Sequence, residues 1–278
     1  MRSQVRILSP RLTRQNLVVL HALTRGISDL FNDCELTYEE RVLIDLEVAR
    51  AQHRAYEEAL IGLGVTVAHI PAGPWMPDCV FVEDTAVVLD EIAVITRPGA
   101  QSRREETSAV EFALSRYRAI AQIKPPAQLD GGDVLVLGKK VYVGYSGRTN
   151  RVGVAQLEAL LRPCDYDVVG VPFAGCLHLK SAITRASDQH LLVNRRWVDG
   201  ELFPGWRFIE IDPDEPNAAN ICLPNGCIYP DHFPKTESRL REAGIPLVLV
   251  PASEVAKAEG AVTCCSIIFN RAQGTALG

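Results

Sequence analysis

The chain has 278 residues and a formal net charge of -5, with 47% apolar and 23% charged residues, ordinary values for a soluble globular protein. No basic block or stripe stands out, which argues against a nucleic-acid partner and leaves room for a small cationic ligand. No run approaches the ~20 apolar residues needed to span a bilayer and Met1-Arg2-Ser3 opens no signal-peptide pattern, so a cytoplasmic protein with reduced thiols and no membrane partner is expected.

In chain order, residues 1–16 carry four arginines and no acid, and are expected to form a loose basic tail. Residues 17–278 are then one domain. Leu17 to Thr24 (LVVLHALT) reads as a strand without a neighbouring partner in sequence. Tyr38 to Leu63 spaces Val42, Leu43, Leu46, Val48, Ala49, Ala55 and Leu60 for one face of a helix. Asp84 to Ala100 reads as strand, acidic turn, strand and a Pro-Gly stop, and Arg104 to Ala119 as a helix. Leu129 to Gly147 repeats the hairpin, with Gly138-Lys139-Lys140 as its turn. Gly153 to Leu161 is again helical, and Tyr166 to Pro172 a short strand. His178 to Trp197 is a third hairpin, and Asn217 to Pro230 a fourth around Asn225-Gly226. Cys264 to Gly274 begins a fifth, whose missing strand is expected to be Leu17 to Thr24.

The first polar landmarks of these hairpins are Glu83, Asp130, His178, Asn220 and Cys264, giving spacings of 130−83 = 47, 178−130 = 48, 220−178 = 42 and 264−220 = 44. Such a period points to a propeller-like array, with equivalent strand ends around one central cavity. Polar residues at the start of core-facing strands are costly unless they meet one another or a ligand.

The side chains fit that reading, each with a plainer alternative. His178 titrates near neutrality and suits proton transfer, whereas a lone histidine is more often structural. Asp130 opens Asp130-Gly-Gly-Asp133, either a turn or an acid that orients the histidine beside glycines allowing close approach to a ligand; Asp133 reads equally well as an exposed turn residue. Asp78, Glu83 and Asp84 fall within seven mostly apolar residues without a neighbouring base. They suit a planar cation such as guanidinium, or are solvated strand ends. Arg103 and Arg148 would suit a substrate carboxylate, although surface arginines are common.

The eight cysteines include no Cys-x-x-Cys pair, a poor start for a zinc ribbon. Adjacent Cys264 and Cys265 could bridge only through a strained ring. Strand alternation would turn one to the cavity as a nucleophile and the other outward. The pattern leaves open which is which.

The motifs PDCVFVEDTAVV, ITRPGAQSRREE, LDGGDVLVLG, SGRTN, LHLKS and TCCSIIF, in this order from Leu17 to Phe269, resemble the dimethylarginine dimethylaminohydrolases, a family of guanidino-modifying enzymes. The resemblance implies a five-bladed α/β propeller (pentein) of about five ββαβ-type repeats around a central active site. It implies Cys264 as nucleophile, in the form Cys-x-Ser, with His178 as acid and base and Asp130 as its orienting acid. Substrate contacts would fall on Asp78, Glu83 and Asp84 for the guanidinium, and on Arg103 and Arg148 for the carboxylate. Leu36 on a loop after the first strand and the Ala258 backbone would complete the set.

The implied reaction is hydrolysis of Nω-methylated arginine to citrulline and a methylamine through a Cys264 thiouronium, without cofactor or required metal, in a monomer or homodimer. Zinc on the thiolate and histidine would inhibit. An arginine deiminase-like hydrolase and a catalytically silent pentein that binds a ligand are the rival readings.

Overall fold

The computed structural model describes residues 19–271. The expected basic tail, residues 1–16, lies outside them. The elements run β1 (Leu20–Arg25), α1 (Leu46–Gly62), β2 (Thr66–Ile70), β3 (Ala86–Val88), β4 (Ile92–Ile95), α2 (Thr107–Leu114), β5 (Ala119–Gln122), β6 (Val134–Leu137), β7 (Lys140–Tyr145) and α3 (Arg151–Leu161). They continue with β8 (Asp167–Pro172), the one-turn α4 (Leu179–Ala182), β9 (Ile183–Arg185), β10 (His190–Val193), β11 (Arg207–Glu210), β12 (Cys227–Pro230), α5 (Pro234–Glu242), β13 (Leu247–Val250), α6 (Ser253–Ala256) and β14 (Ser266–Asn270). Among the described residues no helix is long and apolar enough to cross a membrane.

The strands form five small sheets, ordered β14-β1-β2, β3-β4-β5, β6-β7-β8, β9-β10-β11 and β12-β13, here called blades one to five. In each three-stranded blade the middle strand pairs antiparallel with one neighbour and parallel with the other. A parallel partner needs a crossover connection, and α1, α2, α3 and α5 supply it in four blades. The ring closes as expected from the orphan strand: β1 pairs antiparallel with β14, Leu20 opposite Asn270.

Two expectations shift in detail. The helix expected from Tyr38 begins at Leu46, where Asp45 caps it by accepting from the Glu47 and Val48 N–H groups. Val42 and Leu43, which imitate the helical period, are exposed on the preceding loop. The fourth hairpin shrinks to a single bridge between Cys222 and Ile228. Pro224 in that run lacks the N–H that a longer ladder needs.

The strands read as continuous apolar runs because both faces are covered. On β10, Leu191 packs between blades three and four and Leu192 between blades four and five. On β4, Ala93 and Ile95 face blade one while Val94 faces blade three. Five apolar cores result, each lying between neighbouring blades.

Candidate active site

One helical turn precedes the inner strand of each blade, and these turns carry the polar landmarks. Glu83 and Asp84 lie in the 3-10 turn Val82–Thr85. Asp130 heads the turn Gly131–Asp133, and His178 heads α4. Cys264 and Cys265 close a turn that ends at β14. The landmarks are thus equivalent, as the spacing indicated, but none is on a strand.

Helical rotation therefore replaces strand alternation in separating the two cysteines. Cys264 lines a cleft, while Cys265 is buried against Val255 and Val262 in the core between blades five and one. All eight thiols are unbridged.

The cleft is narrow, with a cavity volume of about 20 Å³, and is lined by Glu35, Asp78, Phe81, Asp84, Arg103, Arg148, Leu177, His178, Ala258, Glu259, Gly260 and Cys264. His178 Nε2 lies 3.1 Å from Asp130 Oδ2, and its Nδ1 3.8 Å from Asp84 Oδ1. Asp130 is fixed in turn, since its Oδ1 accepts from the Gly99 N–H at 2.8 Å.

The two glycines of Asp130-Gly-Gly-Asp133 do allow a close approach, but to protein rather than ligand. A Cβ on Gly131 would lie 2.0 Å from the Glu83 carbonyl oxygen, and one on Gly132 2.6 Å from His178 Nδ1. Asp133, read as a possible exposed turn residue, is fully buried. Its Oδ1 accepts from the Leu179 N–H at 3.0 Å, which anchors the turn carrying His178.

The expected substrate acids divide into two environments. Asp84 Oδ2 receives Arg103 Nη1 at 2.6 Å and its Oδ1 the Gly132 N–H at 2.9 Å. Burial opposes its charge, but His178 and Arg103 hold its pKa at about 2. Asp78 is 4% exposed, and both its oxygens accept only the Glu35 N–H, at 3.2 Å. No ion pair reaches it among the described residues. Burial raises its pKa. Glu83 points away from the cleft, to Lys180 Nζ at 2.5 Å and the Thr263 hydroxyl at 2.9 Å. It borders a second cavity of about 250 Å³ among the inner strands.

The arginines also differ. Arg103 is buried and its guanidinium is committed: Nη1 to Asp84, Nη2 and Nε to Glu106, with Nη2 also donating to the Phe81 carbonyl at 3.0 Å. It braces the acids rather than reaching outward. Arg148 lines the cleft with only the Thr37 hydroxyl at 3.3 Å on its Nη2. Ala258 lines the cleft, whereas Leu36 packs against the core between blades five and one.

Burial, reinforced by the charges of Glu83 and Asp84, pushes the Cys264 thiol up to about 12. Burial disfavours the charged His178, yet Asp84, the Asp130 hydrogen bond and Asp133 together raise it to about 9. The resting pair is a thiol beside an imidazolium. Asp84, Asp130 and His178 place ligand atoms within 4.8 Å of one another, but their contacts to Arg103, Gly99 and each other already use them.

Sequence reasoning missed Lys180 and Glu106, the partners of Glu83 and Arg103, although both sit inside quoted motifs. It also missed Glu259, which has φ 56° and whose Oε1 accepts from the successive N–H groups of Thr37, Tyr38 and Glu39. Positive φ at a glutamate has no sequence signal.

The family model described as N,N dimethylarginine dimethylhydrolase, eukaryotic, matches residues 28–189. The N(G),N(G)-dimethylarginine dimethylaminohydrolase of Streptomyces coelicolor is 41% identical over 250 residues, 88% of this chain and 95% of that protein. A mutant of the Pseudomonas aeruginosa enzyme, solved in complex with citrulline, superposes with a TM-score of 0.86 at 32% identity, covering 90% of this chain and 98% of that one. A dimethylarginine dimethylaminohydrolase adduct with S-methyl-L-thiocitrulline gives a TM-score of 0.87 at 32% identity, over 91% and 100% of the two chains. The five-bladed ring is accordingly the pentein fold that the sequence motifs implied.

Proposed function

This chain belongs to the dimethylarginine dimethylaminohydrolase family, and from that premise we propose that it hydrolyses Nω-methylated arginine to citrulline and di- or monomethylamine. The observation that carries the reading is Asp78, a buried carboxylate without a cationic partner among the described residues, in the same cleft as Cys264 and the His178–Asp130 pair. A guanidinium is the cation that such a carboxylate, with Asp84 behind it, recognises through paired N–H donors. Arg148 holds the substrate carboxylate and the Ala258 backbone its amino-acid end. Arg103 acts through Asp84, keeping it ionised and oriented, and Glu83 acts on Cys264 by its charge.

Burial and the charges of Glu83 and Asp84 keep Cys264 protonated; entry of the cation offsets both, so the thiol proton leaves to solvent and the thiolate forms beside its target. The sulfur attacks the amidino carbon. As the tetrahedral adduct collapses, the His178 imidazolium gives its proton to the departing amine and the C–N bond breaks. Neutral His178 then takes a proton from water, whose oxygen attacks the thiouronium carbon. The C–S bond breaks and releases citrulline. Asp130 keeps the imidazole in place through both halves. His178 thus gives the proton to the leaving amine and takes one from the attacking water. Residues 17–278 form the catalytic unit, acting in the cytoplasm as monomer or homodimer.

Citrulline release from asymmetric dimethylarginine, monomethylarginine and arginine tests the proposal. Wild type and Cys265→Ser release citrulline from the methylated substrates, whereas Cys264→Ser releases none. Absence of activity on all three substrates would overturn the reading, and activity on arginine alone would replace it by the deiminase-like reaction. Retention in Cys264→Ser with loss in Cys265→Ser would move the nucleophile by one residue.

A further inference from the structure

His53, Glu57 and His69 form a cluster of ligating side chains that shares no residue with the cleft. His53 and Glu57 stand one turn apart on α1, and His69 lies on β2, the strand into which α1 leads. His53 Nε2 is 3.5 Å from Glu57 Oε1, and His69 Nδ1 is 2.8 Å from the same oxygen. One ligand atom from each of the three lies within 4.8 Å of the other two.

His53 gives this cluster its direction. It is 5% exposed and neither ring nitrogen has a hydrogen-bond partner, while Nε2 faces the carboxylate. A buried imidazole left unsatisfied is costly, so such a group calls for a ligand or a reason. Glu57 is ready for one. The Thr24 hydroxyl donates to Oε1 at 2.5 Å, the kind of outer contact that orients a metal-ligating carboxylate.

We propose that His53, Glu57 and His69 bind one divalent transition-metal ion of the zinc class, with the fourth position taken by water at the open side of His69. Two imidazoles and one carboxylate suit zinc or a neighbouring first-row metal, not magnesium or calcium, which prefer oxygen ligands. Tetrahedral ligands ~2.0 Å from zinc stand roughly 3.3 Å apart. The His53–Glu57 spacing already fits, and the His69 side chain, 47% exposed, is free to swing outward by the remainder. The ion would fasten α1 to β2 across the outer side of blade one. Both imidazoles must be neutral to bind it, so acid competes with the ion.

The test uses the full-length Cys264→Ser protein, which removes the thiolate that could compete in the cleft, stripped of metal and titrated with cobalt(II). Expected are saturation at one equivalent, ligand-field absorption of a four-coordinate nitrogen–oxygen site, and a zinc-dependent rise in melting temperature. Adding His69→Ala weakens cobalt binding by about a hundredfold or more and abolishes the zinc-dependent rise. Because His69 is half exposed, the single His69→Ala protein keeps its fold, checked by its circular dichroism and cooperative melting. No saturable cobalt binding, or binding unaltered by His69→Ala, would overturn the assignment and leave the trio as a hydrogen-bonded clasp.

Discussion

His178 sits between Asp130 at 3.1 Å and Asp84 at 3.8 Å, and its pKa rises from 6.5 to about 9. A raised pKa in the folded state means that folding favours the protonated form. The stability it contributes is complete below about pH 6.5 and is lost as the pH rises through about 9. The wild-type melting temperature should therefore fall between pH 6.5 and 9, and a His178→Asn variant should show a flatter profile over the same range. Cys264 does not confuse this window, because its own shift acts only above about pH 9. Parallel profiles for the two proteins would show that the imidazole is not held as a cation. At this scale the sequence indicated which side chains matter through their repeat-equivalent places, but not their partners. Lys180 meets Glu83 and Arg103 meets Asp84 between segments separated in the chain, so no local pattern encodes those pairs, whereas Glu106 reaches Arg103 from three residues away.

The loop from Glu35 to Asp45 covers the cleft and is latched from three blades. Glu35 donates its N–H to Asp78, and the Thr37 hydroxyl receives Arg148 Nη2. Glu259 gathers the N–H groups of residues 37–39 on one carboxylate oxygen. Charge-assisted bonds of this kind contribute ~1.5–3 kcal/mol each when buried, and less at an exposed loop. Replacing Glu259 by Ala should raise KM for methylarginine by about tenfold, equivalent to ~1.4 kcal/mol, with a smaller change in kcat. Amide exchange at Thr37, Tyr38 and Glu39 should quicken while the melting temperature stays near that of wild type. Unchanged exchange at these amides would dissociate the loop from Glu259. The misplaced start of α1 belongs to this same loop. Val42 and Leu43 continue the helical period in sequence, yet Asp45 stops the helix by offering its carboxylate to the first free N–H groups. Periodicity reports which residues are apolar, and capping decides where the helix starts.

The whole molecule is held by cores between blades, with both faces of each sheet committed to neighbours. A single blade has little core of its own, so the ring is expected to fold as a unit. Its closure is a strand pairing, and Val19 accepts a hydrogen bond from the Arg271 N–H at 3.1 Å. The two ends of the described chain therefore meet. A circular permutant that links them and opens at the exposed Gly138-Lys139 turn should melt cooperatively and release citrulline. A permutant that melts in two separate steps would argue against one closed unit. The ring was legible because the polar landmarks recur at 42 to 48 residues. The single bridge left in blade five was not, since Asn225-Gly226 signals a hairpin but not its length.

The chemistry is distributed one turn per blade: acids from blade two, Asp130 from three, His178 from four and Cys264 from one, with Asn220 of blade five accepting the Thr263 N–H beside the nucleophile. Cys264 packs at the edge of the core between blades five and one, and the other side chains named here lie outside the apolar cores that hold the ring. A descendant gene can thus lose the reaction through one codon and keep the architecture with its cleft. Reversal of the same codon would restore it. The fold can outlive its activity and carry it dormant along a lineage.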